Sequence, residues 1–585
     1  MKDAPLTAAR LLALYDRVAD SEDAIPRLRR FVLDLAVRGK LVAQDAGDEP
    51  AAELLKRIAK EKARLVKAGE VSKEKSPAPL PVADLPFELP HGWAWTRLGS
   101  LSQFVTSGSR DWAKHYSSEG AIFVRMGNLS KDHYRLRLDH IQRVKPPSDG
   151  EGTRTRLEAG DILISITGDV GMLGLVPEGF GEAYINQHTA MVRPMPELKG
   201  RYLAEIFRSP FAQKQFNEPQ RGIKNSFRLT DVTQLVVPLP PLAEQRRIVG
   251  RVEELMALCD QLQAARAEER AVRDRLTTAT LSRLTDPDQS VEAAPQNARF
   301  ALQTLPTLTT HPDQIKPLRQ TILNLAIRGK LVEQDPTDEP AAELLKRIGK
   351  EVAAKRKEMG LRPQDKLPAV DPSEAPFELP TCWAWARFPE VGVFARGKSK
   401  HRPRNDQSLY TDGTVPFVQT GDVARSAGVI TTHSSVYNEN GLRQSMLWPA
   451  GTMCITIAAN IADSGILTFD ACFPDSVVGL VAASPFENAR FFEYFVRTAK
   501  ANLTEFAPAT AQKNINLGIL EMVLIPLPPL AEQHRIVARV DALMALCDQL
   551  ESSLTTTTTT RSRLLEALLH EALDGVLGVQ SEAAA

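Results

Sequence analysis

Apolar residues spaced alternately four and three apart run through two stretches of the chain. Ile248, Val252, Leu255, Cys259 and Leu262 form one set, and Ile536, Val540, Leu543, Cys547 and Leu550 the other. This spacing marks one face of an α-helix and is the seam of a coiled coil. Met256 and Leu258, with Met544 and Leu546, widen each stripe beyond what a single partner helix covers. Both stretches follow prolines: Pro238-Leu-Pro-Pro-Leu-Ala-Glu-Gln and Pro526-Leu-Pro-Pro-Leu-Ala-Glu-Gln put proline in the last extended residues and the first helical turn, where no amide donor is needed. Glu244 and Glu532 then sit near the positive end of the helix dipole. The first helix is predicted from about Leu242 to Leu284, where Asp286-Pro287 stops it, and at ~1.5 Å per residue it is a rod of ~65 Å.

The two stretches are copies. Of the 25 residues Pro238–Leu262, 21 recur unchanged at Pro526–Leu550, and of the 27 residues Leu35–Glu61, 22 recur at Leu325–Glu351. In the second repeat Arg38-Gly39-Lys40 reads as a helix C-cap with cations on the negative end of the dipole, and Asp48-Glu49-Pro50 as the start of the next helix, so each copy is predicted to be a helix pair. Two matching seams in one chain most simply pack on each other, and two such rods packed antiparallel would hold whatever precedes them at opposite ends.

Between the repeats the period changes. Residues 91–237 show short β-like runs at Ile122–Val124, Asp161–Thr167 and Thr189–Val192, with helix-like stretches near Tyr202 to Phe216. A second block, 381–525, threads on the first: Phe123–Asn128 against Phe417–Asp422 and Ala159–Ser165 against Ala450–Thr456, with little identity elsewhere. The fold class is therefore α+β, two mixed α/β blocks separated and joined by two long antiparallel coiled-coil helices, with a helical repeat before each block. The chain divides into a helical segment and linker (1–90), the first block (91–237), a spacer helix (238–290), a linker with the repeated helical segment (291–380), the second block (381–525), a second spacer helix (526–575) and a tail (576–585). Helical repeats that stay nearly the same beside blocks that differ imply one kind of partner and two different targets.

Charge is balanced, 72 basic against 72 acidic residues, so any nucleic-acid site must come from local clustering. Arg396, Lys398, Lys400, Arg402 and Arg404 form the clearest cluster, with no acid until Asp406. The same stretch matches a phosphate-binding loop from Gly392 to Ser399, but Pro403 stands where a helix opening at the lysine would need its amides. A mobile basic loop facing DNA phosphates fits it better, and a solvated charge run is the plain alternative. In the first block the candidates are Arg110, Lys114, Arg125 and Asn128, with Arg221, Lys224 and Asn225 before the last strand; the second block offers Gln419, Thr420 and Asp422 at the place of Arg125–Asn128, and Lys513 and Asn514 near its end. Arg, Asn and Gln can pair with base edges, while lysines position the backbone. No metal-ligand spacing and no catalytic constellation is present; the five cysteines, without a C-x-x-C spacing, read as small core residues. No apolar run reaches the ~20 residues of a membrane span, so the expectation is a soluble, cytoplasmic protein with no membrane partner.

Each block opens on a tryptophan signature, Leu89-Pro-His-Gly-Trp-Ala-Trp95 and Leu379-Pro-Thr-Cys-Trp-Ala-Trp385, and each is closed by Pro-Leu-Pro-Pro-Leu-Ala-Glu-Gln leading into a helix. In this the chain, over about 90 to 575, resembles the DNA-specificity subunit of a type I restriction-modification enzyme, with Cys382 where the glycine would stand. The resemblance implies a non-catalytic subunit whose two target-recognition domains each read one half of a bipartite, asymmetric sequence in double-stranded DNA. It further implies two methyltransferase subunits and two translocase-nuclease subunits as partners, with S-adenosylmethionine, ATP and Mg on those partners and no cofactor on this chain. The competing readings are a two-domain scaffold for protein or sugar ligands and a P-loop nucleotidase.

Overall fold

The computed structural model describes residues 21–71, 80–81, 85–108, 111–146, 154–217, 227–285, 293–370, 375–401, 403–458, 462–500 and 516–582. They form two compact units: residues 1–269 with 558–585, and residues 270–557.

In the first unit the helices Ala24–Val37 and Ala51–Lys67 make the predicted pair. Gly39 takes φ +67, and the Lys40 amide donates to the Leu35 carbonyl at 2.8 Å, which closes the first helix as a left-handed C-cap. The Arg38 guanidinium lies 4.9 Å over the Phe87 ring, so Arg38-Gly39-Lys40 is a structural turn. A two-stranded clasp then pairs Ala94–Arg97 with Val236–Leu239, Trp95 opposite Pro238, so the tryptophan signature and the proline motif are the two ends of one closure. Inside it one antiparallel sheet has the order Ser102–Ser107, Thr189–Pro194, Ile162–Ser165, Leu173–Leu175. A second has the order Tyr116–Ser117, Gln142–Val144, Ala121–Val124, Ala183–Ile185, with the last pair parallel. Helices Tyr202–Arg208 and Pro210–Asn217 follow, broken at Ser209-Pro210, where the proline has no amide to continue the ladder.

The second unit repeats this plan. Helices Ile315–Ile327 and Ala341–Glu358 precede the clasp of Ala384–Arg387 with Leu524–Leu527, and Trp385 faces Pro526. Cys382 keeps the contact that Gly92 makes, its carbonyl accepting from the Ala341 amide as that of Gly92 does from Ala51, but without the left-handed backbone of Gly92 at φ +83. A five-stranded sheet orders Gly392–Arg396, Val477–Ala482, Met453–Thr456, Ser464–Leu467 and Gly428–Ile430, and a four-stranded one orders Ser435–Tyr437, Val415–Phe417, Ala471–Cys472 and Leu447–Trp448. The helix Ala293–Leu308 lies in a stretch read from the sequence as linker.

The long helices are Leu242–Thr285 and Leu530–Glu582; the second passes residue 575, where a tail was expected to begin. The first gives residues up to 269 to the first unit and the rest to the second, and the second gives residues up to 557 to the second unit and the rest to the first. Ile248 and Val252 are buried in the first unit's core with Val32, Leu33 and Ala36, and Leu255 packs against it. Ile536, Val540 and Cys547 are buried in the second unit's core with Ile322, Leu323 and Ala326, and Leu543 packs against that one. Cys259 is buried, Leu262 half-buried and Leu550 exposed. The heptad positions expected as a seam of one long helix on the other are thus, in their buried part, a seam to the core of the unit in which each helix begins. A heptad shows that a face is covered, not by what.

The repeated helices brace the long ones. In the first unit Arg29 reaches Asp260 (2.6 Å) and Gln263 (3.1 Å) on the first long helix, while Arg27 reaches Ser562 and Glu566 (each 3.2 Å) on the second. Ala24 shares an apolar cluster with Leu565, Leu568 and Leu569. In the second unit Arg319 reaches Asp548 (2.6 Å) and Glu551 (2.7 Å), while Asp313 and Gln314 take Arg270 (2.6 Å) and Asp274 (2.8 Å). Such exposed pairs contribute only about 0–1 kcal/mol each, so the apolar contacts carry the stability and the charges set the register.

Candidate nucleic-acid interface

The repeats hold each block by the same set of bonds. The Trp93 ring Nε1–H donates to Glu244 at 3.0 Å, and Trp383 to Glu532 at 2.9 Å. Burial raises both carboxyls and the indole bond pulls them back. Gln245 donates to the Pro240 carbonyl (3.0 Å) and Gln533 to that of Pro528 (2.9 Å). Arg247 pairs with Asp48 (2.6 Å) and Arg535 with Asp338 (2.8 Å). The two sequence signatures recur together because one side chain of each completes the other.

What the framework presents differs. In the second block the strand Gly392–Arg396 runs into the basic loop, and no helix opens at Lys398, so the phosphate-loop reading is corrected: Gly392 opens an edge strand, paired with Ala482, and the Lys398 amide donates to the Phe473 carbonyl at 3.1 Å. Among the described residues the loop is tied to the rest of the block by hydrogen bonds. Gln444 Oε1 accepts from the amides of Lys400 (2.6 Å) and His401 (3.0 Å), Ser445 donates to the Lys398 carbonyl (2.6 Å), and His401 bonds Asp406 (2.7 Å). Arg396, Lys398, Lys400 and Arg404 are exposed, and Arg404 pairs with Asp475. Arg402, Lys513 and Asn514 lie outside the described residues.

A cleft of about 660 Å³ opens beside this loop. It brings Arg404 together with Gln419 and Thr420, which the sequence separates, and adds Asn405, Gln407 and Ser435. Tyr410 and Phe417 line it, and behind them the buried Tyr437 ring stacks on Phe417 with centroids 4.0 Å apart and lies 5.3 Å from Tyr410. Gln419 is exposed and donates to Ser435 at 2.9 Å. A wall of amide, hydroxyl and guanidinium groups beside these rings suits hydrogen bonding to polar edges and phosphates. Asn405, Gln407 and Ser435 went unread in the sequence because single polar residues in loops carry no periodic signal; only the fold gathers them.

Asp422 and its counterpart Asn128 have another task. Asp422 is buried, and its carboxylate accepts from the Gln419 amide (2.9 Å), Ser434 (2.9 Å) and Arg425 (2.8 Å). Asn128 is likewise buried; its Oδ1 accepts from the Arg125 amide at 2.9 Å and its Nδ2 donates to the carbonyls of Arg137 (2.7 Å) and His140 (3.3 Å). Both were expected among the DNA contacts, and both are corrected to anchors: their polar atoms are already used inside the protein. The matched places of Arg125 and Gln419 do recur, each after a strand that pairs in parallel with the block's later strand. Arg125 is half-buried and Lys114 exposed in the turn Asp111–His115, while Arg110, Arg221, Lys224 and Asn225 lie outside the described residues.

Two regions of the chain, residues 90–269 and 385–557, match the family described as Type I restriction modification DNA specificity domain. Over 572 residues, 94% of each chain, the sequence is 32% identical to the Type I restriction enzyme EcoAI specificity subunit of Escherichia coli. Over 573 residues, again 94% of each, it is 31% identical to the EcoEI specificity subunit of Escherichia coli. Among solved structures it is similar to the HsdS subunit from Thermoanaerobacter tengcongensis, with 20% identity, a TM-score of 0.40 and coverage of 83% of this chain and 98% of that one. No helix among the described residues is long and apolar enough to cross a membrane.

Proposed function

The chain belongs to the type I restriction-modification DNA specificity family, and we propose that within it the first block reads one half of a bipartite, asymmetric duplex sequence and the second block the other. The long helices, running antiparallel, fix the unread spacing. Two methyltransferase subunits and two translocase-nuclease subunits assemble on the chain, and S-adenosylmethionine, ATP and Mg belong to them; this chain performs no chemistry and works in the cytoplasm.

One observation carries the reading. Two frameworks alike down to the Trp93–Glu244 and Trp383–Glu532 bonds hold two blocks whose exposed polar groups differ. Like frameworks offer like docking surfaces to identical partner subunits, and unlike polar faces select unlike targets. In the second block the reading face is the cleft at Arg404, Gln419 and Ser435, with Arg396, Lys398 and Lys400 placed for phosphates.

The test is methylome sequencing of DNA modified by this subunit together with its methyltransferase partner, with and without exchange of the second block. A split motif in which only one half changes on exchange is the expected result. A soluble, assembled complex that leaves no split motif overturns the reading in favour of a scaffold for other ligands.

A further inference from the structure

The first block carries a loop that none of the assignments above uses. Between Asn128 and the strand Gln142–Val144 the chain reads Lys131-Asp-His-Tyr-Arg-Leu-Arg-Leu-Asp-His-Ile141, a bent segment without regular secondary structure. Its order comes from the protein beneath it. Asn128 Nδ2 holds the carbonyls of Arg137 and His140, the Arg137 amide donates to the Asn128 carbonyl (2.8 Å), and Leu175 donates its amide to the Tyr134 carbonyl (2.8 Å). Arg208 caps the Asp132 carbonyl at 2.8 Å. Leu136 turns inward, against the core around Leu129 and Leu163, while Arg135 and Arg137 are exposed.

The outward face has the composition of a DNA contact. Arg135 and His140 are exposed, with no ion-pair or side-chain hydrogen-bond partner among the described residues. Leu138 and Ile141 beside them are 42% and 37% exposed, apolar groups of a size to meet a thymine methyl. The backbone of the segment is anchored by a buried side chain, while Arg135, Leu138, Asp139, His140 and Ile141 are left facing outward, and a buried amide whose hydrogen bonds are all spent on ordering one surface segment points to a use for that surface.

The second block supplies the control. There the segment after the corresponding anchor, Asp422, reads Ala427-Gly-Val-Ile-Thr-Thr-His-Ser-Ser435. Beyond Arg425, which pairs with the anchor itself, the segment is tied at Ser434, exposes Thr431, Thr432 and His433, and carries no further Lys or Arg. One anchoring position therefore holds a cationic loop in the first block and a hydroxyl-rich loop in the second. An amide that donates to carbonyls serves one, and a carboxylate that accepts from a hydroxyl serves the other.

We infer that residues 131–141 are the DNA-reading loop of the first block, with Arg135 and His140 in direct contact with the duplex and Asn128 as their positioning residue. The inference rests on the two-reader function proposed above and names the element that serves the first half-site.

The experiment uses the full subunit co-expressed with its methyltransferase partner and compares the native chain with the double variant Arg135→Ala, His140→Ala. Both side chains are exposed, so the thermal transition should not move. Methylome sequencing should show discrimination relaxed or lost in the one half of the split motif that responds to exchange of the first block, with the other half and the spacer kept. The slope of log K against log salt for duplex binding should fall by about one for each phosphate contact removed. Arg135→Lys separates the kinds of contact: a phosphate contact is largely restored by lysine, whereas a paired contact to a guanine edge is not. A native complex with a split motif, beside a double variant with the same motif and the same salt slope, overturns the loop assignment and leaves the two-reader function standing. A native complex without a split motif overturns both.

Discussion

Gly329 and Gly360 separate conformation from contact. Each follows a helix of the second unit's brace, and each sits at φ +67. A Cβ at Gly329 would lie 2.6 Å from Pro380 Cγ and 3.2 Å from Trp383 Cζ2, whereas at Gly360 nothing lies within 4 Å. Left-handed backbone costs an L-residue about 1–2 kcal/mol, offset by about 0.4–1 kcal/mol because alanine also restricts the unfolded chain, so Gly360→Ala should cost about 1 kcal/mol. Gly329→Ala adds an overpacking cost of about 1–3 kcal/mol against a rigid ring and a buried indole, for a total of about 2–4 kcal/mol. At roughly 2 °C per kcal/mol for a unit of this size, scanning calorimetry of the full chain should show the second unit's transition lowered by about 2 °C for Gly360→Ala and by about 4–8 °C for Gly329→Ala. Because the new methyl presses on the indole that donates to Glu532 as well as on Pro380, recognition of the second half-site should weaken in Gly329→Ala only. Equal losses in the two variants would refute the claim that this turn is fitted to the tryptophan.

Three further outcomes are expected. Trp93→Phe and Trp383→Phe each remove an indole donor from a buried carboxylate, a loss of about 1–3 kcal/mol in urea unfolding; Trp383→Phe should cost more, because Glu244 keeps its bond from Gln44 at 2.8 Å while the other oxygen of Glu532 is buried without a hydrogen bond. Burial pushes the Glu493 carboxyl up to about 7, against the pull of Arg497 and Arg490. Folding therefore takes up a proton between about pH 4.5 and 7, and the stability this group contributes is full below that window and lost as pH rises through it; Glu493→Gln should flatten urea midpoints across the window and exceed the native chain at pH 8, and an unchanged slope would assign the pH dependence elsewhere. Arg404→Ala should lower the salt slope of duplex binding by about one, while Asp475→Asn, which releases Arg404 from its ion pair, should tighten binding at low salt; a slope that ignores both substitutions would place this loop away from DNA.

The sequence by itself determined the plan of the molecule. Two repeats spaced alike, an apolar period of 3.5 after a proline motif and short β-like runs between them are local signals, and they were enough for the long helices, the helix pairs, the position of both mixed blocks and the match of Phe123–Asn128 to Phe417–Asp422. The Arg38-Gly39-Lys40 cap was legible because a left-handed glycine after an apolar helix has few other uses. Tertiary structure alone decided which faces meet. The stripe at Ile248 and Ile536 shows only that something covers it, and the cores of the two units show what does. Asn128 and Asp422 look like base readers in a list of residue types, yet burial makes them anchors, because a polar group that has spent its hydrogen bonds inside the protein has none left for a base. Conversely, Asn405, Gln407 and Ser435 gain meaning only where strands from distant parts of the block gather them around one cleft. Periodicity fixes which elements form, whereas the surface they present depends on contacts between residues far apart in the chain, and those leave no pattern along it.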